Sequence, residues 1–145
     1  MRVRKLEMRD IEGVLAIQRD SPEIAQWAAS DYERVARGEM AGWVAEDQAG
    51  IAGFLVARPL VEEAEILNLA VRQDARRRGA GSKLLSQAVE WSKILRLERL
   101  MLEVRVSNAA ALTFYQRHRF RVVGRRASYY ATPKKEDALL LDLPL

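Results

Sequence analysis

Hydrophobic and polar residues along this chain alternate with two different periods, one of two residues and one close to the turn of a helix. Short stretches of period two, rich in valine, isoleucine and leucine, predict β-strands. The second and third strands are close enough to form a hairpin, and the last two are joined by the turn-like residues 131–136. The predicted strands are residues 2–6, 41–47, 51–58, 63–72, 99–106, 120–130 and 137–145.

Stretches with apolar residues three and four positions apart predict four helices between these strands. The first begins at Asp10, which we expect to cap it. The second covers residues 22–38, with proline at a tolerated early position and glycine at its end. The third covers residues 80–95. The fourth covers residues 107–118, with Ser107 as its N-cap.

The predicted order is strand, two helices, three strands, helix, strand, helix and two strands. This order indicates an α/β or α+β protein with one mixed sheet. The chain has 145 residues, the size of one ordinary domain, and its sequence contains no repeat, low-complexity segment or linker that would divide it. We therefore expect residues 1–145 to form a single domain.

Composition narrows the chemistry open to the chain. Apolar residues make up 49% and charged residues 30%, which is typical of a folded soluble protein. The lack of cysteine excludes disulfides, thiolate metal sites and cysteine nucleophiles, and the single histidine excludes a histidine metal cluster. We therefore expect no metal. The sequence does not approach 18 consecutive apolar residues, so we expect a cytoplasmic protein without membrane contact.

The chain is mildly basic, with a net charge of +4 and an isoelectric point near 9.7, which suggests an anionic ligand or a partner close to nucleic acid. Its arginine-glycine stretch follows a predicted strand and opens a predicted helix. Backbone N–H groups at a helix start are unpaired donors with a partial positive charge, and they attract anions. The stretch is therefore a candidate diphosphate site. Its residues are Arg76, Arg77, Arg78, Gly79, Ala80, Gly81 and Ser82.

Two familiar phosphate motifs do not fit this stretch. A P-loop needs a glycine five residues before a Gly-Lys pair, but here Ser82 separates Gly81 from Lys83. A dinucleotide-binding turn needs a third glycine where this chain has Leu84. A solvated loop with glycines at a helix start is the plain alternative, and six residues alone leave it open.

The pattern R-x-x-G-x-G, after a strand containing LNLAV and before a leucine-rich helix, resembles the coenzyme A signature of the GCN5-related N-acetyltransferase (GNAT) family. The resemblance covers nearly the whole chain. It implies a mixed, mostly antiparallel sheet of about seven strands flanked by about four helices. It also implies acetyl-CoA as co-substrate, with its pyrophosphate on residues 77–82. The backbone groups implied to bind the pantetheine arm and acetyl carbonyl belong to Leu69, Ala70 and Val71.

A carboxylate and a tyrosine are candidates for moving protons in an acetyl transfer. In the strand RLMLEVRV the leucines and valines share one face, so Glu103 lies on the opposite face. A carboxylate in so apolar a strand is either functional or paired, and Arg105 is the obvious partner. Asn108 and Tyr115 are two helical turns apart and share a face. The plain alternative for Tyr115 is an ordinary core tyrosine.

The segment LEVRVSNAAALTFY, residues 102–115, resembles one GNAT subgroup in particular, the RimI-type ribosomal-protein alanine N-acetyltransferases. This resemblance implies that Glu103 accepts the proton of the acceptor amine. It implies further that Asn108 contacts acetyl-CoA and that Tyr115 protonates the leaving thiolate. Other similar features are RRASYY at residues 125–130, EDALLL at residues 136–141, and the pair Trp27 and Tyr32 in the segment where the subgroup shapes its peptide site.

One residue departs from the family pattern. The family usually has the run Y-x-x-x-G-F after the catalytic helix, and this chain has Arg119 in place of that glycine. Arg119 must therefore adopt a strained turn conformation or end the helix differently. His118 lies between two arginines and is interpreted as a solvated helix-end residue. Tyr129 and Tyr130 are adjacent on a predicted strand, so only one of them can face a cleft.

Three hypotheses follow for function. The first is direct transfer from acetyl-CoA to the N-terminal α-amine of a protein, most narrowly the N-terminal alanine of a small-subunit ribosomal protein, as the resemblance implies. The second keeps the fold but takes a small amine, which would favour an acidic pocket. The third is a domain that binds acetyl-CoA without catalysis, or a basic RNA-associated module, for which only RRASYY offers the composition. Direct contact with nucleic acid is not expected under the first.

Overall fold

The structure, a computed structural model, describes residues 1–131 and 134–145; residues 132 and 133 of the predicted turn lie outside the described residues. Each predicted strand, and the predicted third helix, agrees with the observed bounds to within one residue at each end. The strands are β1 (Arg2–Lys5), β2 (Ala41–Asp47), β3 (Gly50–Pro59), β4 (Glu63–Val71), β5 (Arg99–Arg105), β6 (Arg121–Tyr130) and β7 (Glu136–Pro144). The α-helices are α1 (Ile11–Arg19), α2 (Ala29–Ala36), α3 (Ala80–Ile94) and α4 (Ala109–Arg117).

In the described part of the chain, these strands form one seven-stranded sheet in the order β1-β2-β3-β4-β5-β7-β6. The predicted element order and the mixed, mostly antiparallel sheet are confirmed, because only β4 and β5 run parallel among the described strand pairs. That parallel pairing covers residues 63–65 of β4 and residues 99–101 of β5. Beyond it the two strands diverge, and the sheet is open at its centre.

Side-chain alternation divides the core into two clusters, one on each face of the sheet. On β3, Leu55 and Ala57 face α3 and α4, whereas Phe54 and Val56 face α1 and α2. All four of these side chains are fully buried. The helices pack on the sheet because burial removes both their apolar faces and those of the strands from water. One pair of helices therefore covers each face of the sheet, on either side of the central opening.

β4 contains a one-residue bulge soon after it leaves β5. Its register with β3 pairs Val56 with Asn68 and Ala57 with Ile66, so Leu67 is an extra residue. An extra residue reverses the alternation of the side chains that follow it. Ile66 packs under α3, but Leu67 packs in the cluster of α1 and α2, and Asn68 bonds to a side chain of α2.

The second predicted helix starts too early, because the segment before α2, residues 21–28, is irregular. The side chain of Gln18 donates to the carbonyl of Trp27 at 2.8 Å and accepts from the N–H of Trp27 at 3.0 Å. The side chain of Gln26 donates to the carbonyl of Ser21 at 3.1 Å. These bonds satisfy backbone groups that a helix would use, so they hold an irregular path.

Both predicted N-cap residues are used differently. Asp10 stands just before α1, but its carboxylate receives two 2.8 Å hydrogen bonds from the guanidinium of Arg4 and does not cap the helix. The hydroxyl of Ser107 donates to Glu136 of β7 at 2.7 Å. Asn108 caps α4 instead, through its side-chain oxygen. Arg4, six residues from Asp10, and Glu136 on another strand thus take the groups that local capping preference would use.

The end of α4 shows how Arg119 replaces the expected glycine. Arg119 has a φ of +71°, the left-handed conformation that glycine adopts without strain. Its N–H donates to the carbonyl of Gln116, and the N–H of Phe120 donates to the carbonyl of Tyr115, both at 3.0 Å. The rings of Tyr115 and Phe120 lie 5.3 Å apart and close the motif. Of the two possibilities for Arg119, a strained turn conformation or a different helix end, the strained turn is therefore the one observed.

We expect Arg119→Gly to stabilise the protein by about 1 kcal/mol, because it removes the cost of a left-handed arginine. A gain of this size raises the melting temperature by roughly 3 °C in a chain of this length. Thermal unfolding followed by circular dichroism measures it. Arg119→Ala is the matched control, since alanine keeps the strain and should give no such gain. A melting temperature that is unchanged in the glycine variant would contradict the argument.

Candidate active site

A cleft of about 620 Å³ lies where β4 and β5 diverge. Residues from both faces of the sheet line it. One wall is the irregular segment at residues 22–26, and the strands contribute residues 66–69 and 102–105. The far side is formed by α4, and Tyr130 of β6 closes one edge. The opening in the sheet therefore becomes a passage that connects its two faces.

Glu103 lies on the predicted face of β5. Leu102 and Val104 are buried under α3 and α4, so Glu103 faces the other side, where it lines the cleft. Its carboxylate is paired with Arg126 of β6 at 3.3 Å, whereas Arg105 pairs with Glu136. The Arg126 side chain is 54% exposed, and so exposed an ion pair is weak and easily exchanged. Glu103 is thus held in place but remains open to a ligand.

A second irregularity brings both tyrosines of RRASYY near Glu103. Register is lost in β6 between Arg126 and Tyr130, and Ser128 has a φ of +52°. Tyr130 lines the cleft, and Tyr129 is half exposed. The Glu103 carboxylate raises the pKa of Tyr129, and burial together with that charge raises the pKa of Tyr130. One tyrosine faces the cleft, as predicted, but the bulge keeps its neighbour close.

The predicted face of α4 lines the cleft from the side opposite Glu103. Asn108, Ala111 and Tyr115 all border it. The side-chain oxygen of Asn108 accepts the N–H of Ala111 at 3.2 Å, which fixes the start of the helix. Tyr115 is 7% exposed, and burial raises its pKa well above that of a free tyrosine. Its hydroxyl is therefore protonated at neutral pH.

The arginine-glycine stretch leads from β4 into α3, as predicted. Gly79 has a φ of +83° and stands at the N-cap of the helix. Within the described ranges, the N–H groups of residues 77–82 donate to no other backbone group. Arg77 and Arg78 are exposed, whereas the side chain of Arg76 donates to the carbonyl of Val71 at 3.3 Å. The start of α3 thus combines unpaired backbone N–H groups with exposed positive charge.

Gly81 has a packing role that its motif does not reveal. A Cβ added there would lie 3.2 Å from two ring carbons of Phe114 on α4. A side chain at this position would therefore press the first turn of α3 against α4. Glycine here permits close contact between the helix that begins at the arginine-glycine stretch and the helix that carries Tyr115.

The prediction that His118 is a solvated residue is wrong. Its imidazole Nε2 lies 2.9 Å from the hydroxyl of Ser82 at the start of α3, and its ring packs on Phe114 at 4.8 Å. The histidine is half-buried because the left-handed Arg119 turns the chain back at the end of α4. His118 therefore joins the end of one helix to the start of the other.

Asn68 is a cleft residue that sequence reasoning missed, and Gln18 supports it through Tyr32. The side-chain N–H₂ of Asn68 donates to the hydroxyl of Tyr32 at 3.1 Å, and that hydroxyl donates to Gln18 at 2.5 Å. Tyr32 is fully buried, so it supports the wall of the cleft and does not reach a ligand. An asparagine inside the apolar strand EILNLAV was the available signal.

Two further observations concern the described residues as a whole. Residues 1–131 and 134–145 contain no group of three or more histidine, aspartate or glutamate side chains placed to hold a metal ion. In the same ranges, no helix has the length and apolar character needed to cross a membrane.

A mixed sheet that opens between two parallel strands, with a glycine-led helix beside the opening, gives this fold a cleft between its central strands. The sequence profile of the Acetyltransferase (GNAT) family matches residues 4–120. The chain belongs to this family, and the resemblance seen in the sequence is confirmed.

Individual relatives agree with this assignment. The chain is 36% identical over 96 residues to a [Ribosomal protein bS18]-alanine N-acetyltransferase of Salmonella typhimurium, covering 66% of this chain and 65% of that relative. It is 30% identical to an N-alpha-acetyltransferase of Sulfurisphaera tokodaii, covering 99% and 93% of the two chains. The crystal structure of the ribosomal-protein-S18-alanine N-acetyltransferase from Escherichia coli superposes with a TM-score of 0.84 at 27% identity, covering 99% and 92%.

We expect Gly81→Ala to lower the free energy of unfolding by roughly 1 kcal/mol, because the new methyl group overpacks the contact between α3 and α4. Thermal or urea unfolding measures the loss. The double variant Gly81→Ala, Phe114→Leu is the control, since leucine removes the two ring carbons that the methyl group meets. Failure of the double variant to recover part of the loss would show that the contact with Phe114 is not its cause.

Proposed function

We propose that this acetyltransferase moves the acetyl group of acetyl-CoA to the N-terminal α-amine of a protein, most narrowly the N-terminal alanine of a ribosomal protein. The observation that carries the proposal is the through-sheet cleft, with Glu103 on one side and the protonated Tyr115 on the other. The names of the bacterial and archaeal relatives support the α-amine, and the bacterial names support alanine.

The cofactor side of the cleft is assigned to the arginine-glycine stretch and the free edge of β4. Acetyltransferases of this family use acetyl-CoA. The unpaired N–H groups of residues 77–82 and the exposed Arg77 and Arg78 suit its diphosphate. The peptide groups of residues 69–71 lie beyond the part of β4 that pairs with β5. Those that point away from β3 are therefore available to bind the pantetheine arm and acetyl carbonyl, except the carbonyl of Val71, which accepts from Arg76. Asn108 lines the same cleft.

The acceptor side is assigned to the face that carries Glu103. An amine attacks a thioester only in its neutral form, and an α-amine has a pKa of about 7.7–8.0 against about 10.4 for lysine. An α-amine is therefore partly neutral near pH 7, and a carboxylate at the cleft is sufficient to take the one proton that its nitrogen loses during the attack, directly or through a water. Glu103 has this role, and the adjacent Tyr130 borders the same space.

Protonation of the leaving thiolate is assigned to Tyr115. As the carbon–sulfur bond breaks, the sulfur gains negative charge, and a neutral hydroxyl nearby donates its proton. Tyr115 is neutral over the physiological range, as an ordinary tyrosine is, and burial raises the pKa of its phenol further. The chain has no cysteine to carry the acetyl group in between, so the amine attacks acetyl-CoA directly. One deprotonation and one protonation then complete the reaction.

The RNA-associated alternative is not favoured by the charges of β6. Nucleic-acid binding of this kind needs a surface with excess positive charge, and neighbouring carboxylates reduce that charge. Each arginine of β6 is already within salt-bridge distance of a carboxylate. The pairs are Arg121 with Asp142 at 2.8 Å, Arg125 with Asp137 at 2.5 Å and Arg126 with Glu103 at 3.3 Å.

We expect Glu103→Gln and Tyr115→Phe each to lower kcat by roughly 100-fold or more, because each removes a proton-transfer group. Steady-state kinetics with an alanine-initiated peptide measures the loss, and calorimetric titration checks that acetyl-CoA still binds. Glu90→Gln, on the exposed face of α3 and away from the cleft, is the control for removing a carboxylate. Unchanged turnover in either variant would exclude that residue from the mechanism.

The acceptor is tested with two peptides. One begins with the alanine of a small-subunit ribosomal protein, and the other is blocked at its N-terminus and contains an internal lysine. We expect mass spectrometry to find acetyl on the α-amine of the first peptide alone, since lysine is mostly protonated at neutral pH. Equal acetylation of the lysine would contradict the proposed acceptor. Acetylation of neither peptide would also contradict it and would favour a small amine as the acceptor.

A further inference from the structure

We infer that the side-chain oxygen of Asn68 accepts a hydrogen bond from the acceptor amine and so orients its nitrogen opposite Glu103. The inference deepens the proposed function and rests on it, because it adds a second contact for the same amine. It gives β4 a part in holding the acceptor, beyond the backbone role assigned to its later residues.

The bulge in β4 puts Asn68 on the acceptor side of the sheet. Without the extra Leu67, Asn68 would share the face of Ile66 and lie under α3. With it, Asn68 faces the segment at residues 21–28, as Glu103 does across the opening. Both side chains border the same cleft from diverging strands.

Hydrogen bonds fix which end of the Asn68 amide faces which way. Its N–H₂ group donates to the carbonyl of Ala25 at 3.0 Å and to the hydroxyl of Tyr32 at 3.1 Å. A backbone carbonyl can only accept, so the nitrogen must lie at this end. The Tyr32 hydroxyl already donates to Gln18, which confirms that it accepts from Asn68. The amide cannot be turned over without losing these bonds.

The oxygen of Asn68 is left without a donor among the residues that the structure describes. The residue is 5% exposed and lines the cleft. The oxygen itself is not enclosed, because it is not among the buried side-chain atoms that lack a partner. A donor that enters the cleft can therefore reach it.

An attacking amine offers that donor. A neutral primary amine has one lone pair and two N–H bonds. The lone pair must point at the thioester carbon, and one N–H gives its proton to the Glu103 side. The second N–H needs an acceptor, and two fixed acceptors on neighbouring strands determine where the lone pair points. A neutral amide suits this position, because a second carboxylate would favour the unreactive ammonium form.

The test compares two acceptor peptides, one beginning with alanine and one with N-methylalanine. The N-methylated amine has only one N–H in its neutral form, so it cannot serve both acceptors. We expect the wild-type enzyme to prefer the primary amine in kcat/KM. In Asn68→Leu, which keeps the shape of the side chain without its oxygen, we expect this preference to fall by roughly 5- to 30-fold. Asn68→Ala is measured alongside, in case leucine disturbs folding.

Tyr32→Phe is the matched control. It removes the hydroxyl that the Asn68 amide contacts but leaves the oxygen of Asn68 in place. We expect its preference between the two peptides to equal that of the wild type, even if its stability is lower. Steric rejection of the methyl group cannot mimic the expected result in this variant, because leucine is at least as bulky as asparagine and would preserve that rejection.

The outcomes separate this inference from the proposed function. A wild-type enzyme that acetylates the primary peptide, with the same preference in both Asn68 variants, overturns the role of Asn68 alone. Lower activity with an unchanged preference means that Asn68 only holds the wall of the cleft, and it also overturns the inference. A wild-type enzyme inactive on the primary peptide overturns the proposed function and, with it, the inference.

Discussion

The short pairing of β4 with β5 is the constraint on which the rest of the structure depends. The two strands are hydrogen-bonded over residues 63–65 and 99–101 and then separate. Their separation frees one edge of β4, opens a cleft through the sheet, and lets side chains from both faces meet there. Unpaired backbone inside a protein is costly unless something binds it. In the proposed function, acetyl-CoA supplies donors and acceptors for this free edge.

Much of the fold could be predicted because local patterns record it. Period-two alternation found the strands, and the burial of Leu102 and Val104 follows directly from it. The start of α2 and the caps at Asp10 and Ser107 were wrong for one shared reason. In each case a side chain from outside the helix takes the group that local preference would use: Gln18 bonds the backbone ahead of α2, Arg4 takes the carboxylate of Asp10, and Glu136 takes the Ser107 hydroxyl.

In the candidate site, too, the positions of some residues could be predicted from the sequence and those of others could not. Glu103 and Tyr115 could be found because each lies on a regular element whose period fixes its direction, and both border the cleft. Asn68 could not, because a bulge reverses its direction and its partner Tyr32 lies 36 residues away. His118 could not either, since its contact with Ser82 spans 36 residues and depends on the turn at Arg119. Hydrophobic periodicity does not reveal irregular backbone or contacts between residues far apart in the sequence.

The passage through the sheet has a consequence for the traffic of substrates. In the proposed reaction, coenzyme and polypeptide approach from opposite faces, so neither blocks the entrance or exit of the other. The order in which they arrive and leave is then set by affinity, not by obstruction. A compound that joins a coenzyme arm to a short peptide would fill both entrances at once. Its affinity would gain from the effective concentration of two linked groups, and its length would be dictated by the thickness of a single β-sheet.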